Sequence, residues 1–291
     1  MRILILLTAL LLSPSLLAQL SVKIKPTRSE YISYESVKLE VSIRNQSGRQ
    51  LNLHNSATNG GWIEFVVRNQ SGRLVHTVKK QSYAPTSIAT AENVKSTFTL
   101  SNSFNLDQPG NYSVSAIVRT PNQSGDQGTR SASCYFTVNR GAITWRSKVG
   151  VPGLSGDERE YRIIESGSSR STAPQLYIQV EDVKKGQMLA TYPMGKYLSF
   201  RRPQKAIDRK NNLHVLFLTT PKLYCHTVVN PSGNTIKRNY LKAFNSTHPT
   251  LITEANGTVF VNNATVYDPQ KEREENSKFH NLSEVPGGFE Q

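Results

Sequence analysis

The sequence is poor in cysteine, in long apolar runs and in charged residues. It contains 2 cysteines in 291 residues, and charged residues make up 19% of the chain. These values exclude a disulfide-rich scaffold, a disordered acidic protein and a histone-like polycation. No apolar run reaches the roughly 18 residues of a membrane-spanning helix, and no low-complexity block occurs, which excludes multispanning and collagen-like classes. The hydrophobic share of 37% is enough for packed cores.

The first eighteen residues have the organisation of an export signal. A cationic start, Met1-Arg2, is followed by an apolar stretch at residues 3–12 and by the small residue Ala18. At about 1.5 Å per residue the apolar stretch covers only about half of a bilayer core, which disfavours a permanent anchor. The residue after Ala18 is not a cysteine, so lipid attachment there is not expected. We therefore expect a secreted or periplasmic protein with no transmembrane segment after removal of residues 1–18.

Short runs of alternating apolar and polar residues recur between residues 19 and 140. The runs at residues 37–44 and 63–68 have the period of two that is typical of half-buried strands. About seven such runs in about 120 residues, with no apolar stripe of a helix, are typical of a two-sheet sandwich. Turn-forming residues separate the runs at residues 45–48, 69–72 and 107–110.

Three groups of residues in this half carry a family resemblance. They are the alternating Val37, Leu39, Val41 and Ile43; Trp62 with Glu64 and Val66; and Pro109-Gly110 before Tyr112 and Val114. On these residues the segment resembles bacterial immunoglobulin-like domains. The resemblance implies a sandwich that serves as a spacer, an adhesive unit or a binding platform, and it implies no catalytic residues. We predict that Trp62 lies in the core, because large aromatic side chains dominate such interiors.

The second half, residues 141–267, contains an internal repeat. Each copy contains a strand, a glycine turn, a second strand, a polar crossover and an Asn-rich turn into a third strand, which resembles the blade unit of β-propellers. Two copies cannot close a ring, so we expect a small closed β domain, with edge pairing between molecules as the alternative. The glycine-rich residues 141–156 are interpreted as the interdomain link with one edge strand. The matching positions, at offsets of 46 or 47, are Leu176-Tyr177 with Leu223-Tyr224, Pro203 with Pro249, and Leu213-x-Val215 with Val259-x-Val261.

The sequence thus predicts an all-β protein with four segments. Residues 1–18 form the signal peptide, 19–140 an immunoglobulin-like sandwich, 141–267 a domain of two blade-like repeats, and 268–291 a disordered acidic tail. Cys134 and Cys225 fall in different predicted domains, and Cys134 alternates with Phe136 on the buried face of a strand. We expect both thiols to be free and inert.

Catalytic and metal-binding motifs are weak. His214 and His226 lie on neighbouring predicted strands, but strand alternation places them and Cys225 on both faces of a sheet, which disfavours a metal site. Ser155 lacks the Gly-x-Ser-x-Gly setting of a nucleophile, and nothing in the spacing of the acidic residues indicates that two carboxylates face one cleft. We predict no enzyme and no cofactor or metal. A hydrolase with a site built from loops of the second domain is an alternative.

The charge distribution is more informative. Residues 141–267 carry 17 basic and 8 acidic side chains, and the densest basic stretch, residues 196–210, holds six basic residues and the single acid Asp208. Arginine can hold sulfate, phosphate or carboxylate with paired donors, while tyrosine lies against sugars or bases. The alternative is a solvated strand edge whose charges prevent aggregation. The predicted ligand-binding residues are Lys196, Tyr197, Arg201, Arg202, Lys205, Arg209 and Lys210.

These observations favour an exported, noncatalytic binding module. Its expected partner is an acidic glycan, another anionic envelope surface, or a protein bound through exposed sheet edges. Nucleic acid is not expected, because export removes the chain from the cytoplasm. A structural or assembly spacer of a surface complex is an alternative from a different class.

Overall fold

The computed structural model describes residues 20–57, 60–121, 123–124, 127–167, 174–244 and 247–280. Strands account for 57% and helix for 5%, which confirms the all-β class. The chain divides into two compact units, Met1–Arg140 and Gly141–Gln291. No helix among the described residues is long and apolar enough to cross a membrane. The predicted signal peptide lies outside the described residues.

The strands of the first unit form two main sheets and one short pair. They are β1 (Leu20–Pro26), β2 (Glu30–Ile32), β3 (Lys38–Asn45), β4 (Leu51–Leu53), β5 (Ile63–Arg68), β6 (Thr86–Ile88), β7 (Asn93–Thr99), β8 (Gly110–Val118), β9 (Thr129–Arg130) and β10 (Cys134–Asn139). One sheet has the order β1-β3-β7 and the other the order β2-β10-β8-β5, with β9 pairing β8. Strands β4 and β6 pair with each other.

One hydrophobic core lies between the two main sheets. On β3, Leu39, Val41 and Ile43 are buried while the residues between them face outward, as the period of two predicts. Side chains of β5, β8 and β10 complete the same core. Trp62 is 2% exposed, and its indole Nε1 donates a hydrogen bond to the Ala84 carbonyl at 3.1 Å. The predicted core position of this tryptophan is confirmed.

The two cysteines lie in different units. Cys134 is half-buried on β10 against the core of the first unit. Burial raises the pKa of the Cys134 thiol to about 11. Cys225 is buried in the second unit. At neutral pH the Cys134 thiol is therefore protonated, which suits an inert packing role.

The second unit is built from consecutive hairpins. Its elements are β11 (Ala142–Val151), β12 (Leu154–Ser166), β13 (Gln175–Asp182), β14 (Gln187–Lys196), β15 (Gln204–Ile207), β16 (Leu213–Thr220), β17 (Leu223–Val229), β18 (Thr235–Ala243), β19 (Thr250–Thr253), β20 (Val259–Asn262), β21 (Ala264–Val266) and the helix α1 (Pro269–His280). The sheet that comes first in the chain, which we call the proximal sheet, has the order β11-β12-β13-β14. The sheet that follows, which we call the distal sheet, has the order β15-β16-β17-β18-β21. Strands β19 and β20 form a separate hairpin.

Two segments of this unit differ from the sequence interpretation. Residues 141–156 form β11 and the start of β12, a long hairpin rather than a link with one edge strand. The glycines allow this, because Gly153 takes a φ of 80° in the turn and the register shifts at Gly150. The expected disordered tail begins with helix α1, and residues 281–291 lie outside the described part of the chain.

The proximal sheet, the distal sheet and the β19–β20 hairpin are stacked as three layers. Tyr161 and Ile178 of the proximal sheet share a core with Phe217 of the distal sheet. On the opposite face of the distal sheet, Leu216 packs with Leu251 of the hairpin. Strand β16 is buried on both faces, which explains its nearly continuous apolar sequence.

The internal repeat corresponds to the same order of strands in both copies. The turns at residues 208–212 and 254–258 have matching backbone hydrogen bonds, and Asn211 and Gly257 take positive φ values of 61° and 78°. The boundary between the two copies does not coincide with a boundary between sheets, however. The last strand of the first copy, β16, pairs with the first strand of the second copy, β17. Each copy therefore contributes strands to two layers. The sequence, by contrast, predicts that each copy forms one blade-like unit.

Candidate functional site

The connections of the distal sheet lie at two ends, because neighbouring strands are antiparallel. We call the end formed by residues 197–203, 221–222 and the segment after Ala243 the loop end. We call the opposite end, formed by residues 208–212, 230–234 and 254–258, the turn end.

The structure separates the predicted basic residues into two groups. Arg201 and Arg202 lie at the loop end, and Lys205 is the second residue of β15. Arg209 and Lys210 lie in the exposed turn at the other end of the same strand. Strand β15 ends at Ile207, so Lys205 and Arg209 are four residue steps apart, or at most about 13 Å at about 3.3 Å per residue. The stretch that is continuous in sequence is therefore not one patch in space.

Lys196 belongs to the loop-end group. It is the exposed last residue of β14, directly before the connection to the distal sheet. We define the loop-end cluster as Lys196, Arg201, Arg202 and Lys205.

Tyr197 does not belong to the accessible surface. It is 3% exposed and packs in the core between the two sheets. Burial raises the pKa of its hydroxyl, and the hydrogen bond and negative charge of Glu165 raise it further. The ring of Tyr197 is thus not available to a ligand. The position of Tyr197 beside the basic residues predicts a contact with a ligand, and this prediction is wrong because the ring is buried and its hydroxyl bonds to Glu165 inside the unit.

Two carboxylates lie near the loop-end cluster without pairing with it: Glu165 acts on the charge of Lys205, and Glu272 pairs with Lys242 near the end of β18. Lys205 is half-buried, and its pKa is lowered by burial and by the positive charge of Arg202, whereas Glu165 acts in the opposite direction. No described carboxylate lies within 4.0 Å of any of the four cluster residues. An anion that approached this end would meet several cations that are not already paired.

In the proximal sheet, by contrast, two arginines and three carboxylates form ion pairs. The guanidinium of Arg162 donates to Glu160 at 2.7 Å and also to Glu181. Arg159 lies 3.2 Å from Asp182. These three carboxylates, which belong to the second unit where the hydrolase alternative places its site, are engaged in ion pairs.

Arg201 is part of a second small arrangement at the loop end. Its guanidinium carbon lies 5.9 Å from the ring centre of Tyr224, which is 3% exposed. The Tyr224 hydroxyl and Nδ1 of the exposed His248 lie 3.0 Å apart. Sequence reasoning had not placed His248 near the basic stretch. The repeat contained the signal, because the offset of 46 that matches Pro203 to Pro249 also matches Arg202 to His248.

At the turn end, the side chains of Asp208, His214 and His226 form a hydrogen-bonded series, in which Asp208 is half-buried and both histidines are buried. Nε2 of His214 lies 3.3 Å from Oδ2 of Asp208, and its Nδ1 lies 3.2 Å from Nε2 of His226. The two histidines are 7% and 4% exposed. Both rings lie on the face that packs toward the β19–β20 hairpin, whereas Cys225 lies in the core on the other face.

Burial lowers the pKa values of the two histidines, whereas hydrogen bonds lower the pKa of Asp208. Burial lowers the pKa of His226 to about 4, and the positive charges of His214 and Lys237 act in the same direction. Burial also lowers the pKa of His214, against the effect of Asp208. For Asp208 itself, burial raises the pKa, but hydrogen bonds from Asn212, His214 and the backbone lower it overall. The histidines are therefore neutral at pH 7, beside an ionised Asp208.

Asp208, at one end of this hydrogen-bonded series, stabilises the turn at residues 208–212. Oδ1 of Asp208 accepts hydrogen bonds from the backbone N–H groups of Lys210 and Asn212, both at 2.8 Å. His214 uses both ring nitrogens within the chain, so they do not converge on a common ion. Among the described residues, no group of three or more His, Cys, Asp or Glu side chains has the geometry to hold a metal.

Comparisons with known proteins do not assign this chain to a family. No protein-family model matches this chain. No curated protein matches it either. Among solved structures, the chain is similar to the sporulation control protein Spo0M of Bacillus subtilis, with 10% sequence identity and a TM-score of 0.28, over 60% of this chain and 91% of that one. A similarity at this level supports no inference about this chain.

Proposed function

We propose that this chain is a noncatalytic binding protein that holds an anionic ligand at the loop-end cluster. The observation that carries the proposal is the concentration of Arg201, Arg202 and Lys205 without a described carboxylate within 4.0 Å. The two arginines lie next to each other in the chain, and each can hold a sulfate, phosphate or carboxylate with paired donors. Export is part of the proposal and rests on the sequence of residues 1–18.

Two observations support binding rather than catalysis. Three carboxylates of the proximal sheet are held in ion pairs with arginine. The two histidines of the turn end are buried and hydrogen-bonded to each other. A general base must reach a proton on the substrate, and these imidazoles are closed off from solvent.

The test is retention on immobilised heparin in a salt gradient. The variant Arg201→Gln, Arg202→Gln, Lys205→Gln should elute at clearly lower salt than the wild type. Each lost ionic contact is expected to reduce the slope of log K against log salt by about 0.7 to 0.9, as for nucleic acids, so three contacts reduce it by about 2 to 3.

A matched variant separates the cluster from net charge. Lys184→Gln, Lys185→Gln, Lys210→Gln removes the same charge at other surface turns. It should leave the heparin slope within about one contact of the wild type. Equal losses in the two variants would mean that retention reflects overall charge, and the loop-end cluster would have no special role.

A further inference from the structure

Phe200 is the most exposed of the large hydrophobic side chains that the structure describes, at 77%. Its loop is nevertheless fixed to the distal sheet. The Leu198 N–H donates to the Leu218 carbonyl at 2.9 Å, and the Arg201 N–H closes a turn onto the Leu198 carbonyl at 3.2 Å. Pro203, at the other end of the loop, is buried. The backbone therefore holds the phenyl ring out in solvent at a defined position.

The surroundings of this ring are cationic. Arg201 and Arg202 follow it directly, and the other two residues of the loop-end cluster are at the same end of the unit. A second aromatic residue, Phe244, is 52% exposed just beyond the loop-end terminus of β18. Three strand spacings separate the lines of β15 and β18, or about 14 Å at about 4.8 Å each. The loop end thus combines positive charge with two exposed phenyl rings.

A lipid bilayer satisfies both features. A soluble acidic polymer pairs with the arginines, but it removes the phenyl ring from water only where a sugar or base stacks on that ring. The interface of an anionic bilayer offers phosphate groups to the cations and an apolar layer directly below them. Burying one phenyl ring strengthens binding by about 10- to 100-fold, and each basic residue near an anionic surface adds about fivefold.

We propose that the loop end docks on an anionic lipid bilayer, with Phe200 inserted among the headgroups and the loop-end cluster on their phosphates. This inference rests on the proposed function, because it uses the same cations, and it names the ligand.

The experiment is co-sedimentation of the full chain with two kinds of vesicle. One contains phosphatidylcholine alone, and the other contains equal parts of phosphatidylcholine and phosphatidylglycerol. The wild type should partition onto the anionic vesicles and much less onto the neutral ones. Phe200→Ser should reduce partition onto anionic vesicles by about tenfold or more, and its elution from heparin should not change.

Two further variants make the result specific. Tyr135→Ser removes another highly exposed ring, at 71%, from the first unit and should bind vesicles as the wild type does. Phe200→Trp should preserve binding, and its added fluorescence should shift to the blue on anionic vesicles. Such a shift would place the ring in an apolar layer.

The outcomes distinguish the two proposals. Heparin retention without partition onto anionic vesicles would overturn bilayer docking and leave anion binding intact. Equal vesicle partition by the wild type and Phe200→Ser would overturn insertion of the ring. If the wild type binds neither heparin nor anionic vesicles, both proposals are wrong.

Discussion

The buried pair His214 and His226 should make the stability of this protein fall in mild acid. Burial lowers the pKa of His226 from 6.5 to about 4. Between these values the unfolded chain binds a proton on this imidazole, while the folded chain excludes it. Lower pH therefore favours the unfolded state, and the stability present above pH 6.5 is progressively lost toward pH 4.

The size of the effect follows from the shift. One pH unit corresponds to about 1.4 kcal/mol for a group that is protonated only in the unfolded state. For His226 the full interval amounts to about 3 kcal/mol, of which about 2 kcal/mol is lost by about pH 5. The lowered pKa of His214 adds a loss of the same sign.

The measurement is urea unfolding of the wild type and of His226→Gln at about pH 7.5 and about pH 5. Glutamine does not titrate, and its amide can still form a hydrogen bond with His214. The loss of unfolding free energy between the two pH values should be smaller in His226→Gln by about 2 kcal/mol. Carboxylates that titrate in this range are the same in both proteins and cancel in the difference.

His248→Gln is the matched control, because it removes an exposed imidazole from the same unit. Because His248→Gln retains His226, its loss of stability between the two pH values should exceed that of His226→Gln. If His226→Gln and the wild type lose the same free energy, the reasoning about burial of this pair is refuted.

Two further predictions concern the packing of the second unit. Tyr161 is fully buried, and its hydroxyl lies 2.9 and 3.2 Å from two carbonyl oxygens of the distal sheet and its turn. Tyr161→Phe should therefore lower the free energy of unfolding in urea by about 1 to 3 kcal/mol. An unchanged unfolding midpoint would mean that these hydrogen bonds are not formed. Gly233 and Gly153 both have positive φ, but a Cβ at Gly233 would come within 2.5 Å of Ala190, whereas one at Gly153 meets nothing within 4 Å. Gly233→Ala should therefore lower the melting temperature clearly more than Gly153→Ala, and equal losses would show that only the backbone conformation matters.

The predictability of the fold follows from local patterns. The alternation in β3 predicted which side chains face the core, and the internal repeat anticipated that β13 to β16 and β17 to β20 have the same order. The glycines of residues 141–156 misled the interpretation. They occupy a turn and a bulge between two long strands, and composition does not distinguish a turn within a hairpin from a break between elements.

The candidate site was only partly predictable. Arg201 and Arg202 are close to Arg209 in sequence, but β15 lies between them and carries the chain from the loop end of the sheet to the turn end. The basic residues that flank Tyr197 predict contact with a ligand, but its ring is buried because it packs in the core between the two sheets. The exposure of Phe200 has no signature in sequence, since an aromatic residue in a loop is as often buried.

The sequence by itself determined the all-β class and the period of the second unit, because strand alternation and turn residues act over a few positions. The tertiary structure decided which strands share a sheet, which cations lack a carboxylate, and which aromatic rings face solvent. These properties depend on residues far apart in the chain, as with the hydrogen bonds that join β16 to β17 across the boundary between the two copies. The sequence gives the number and sign of the charged residues, but whether a charge is compensated depends on its distance from an opposite charge in the folded chain.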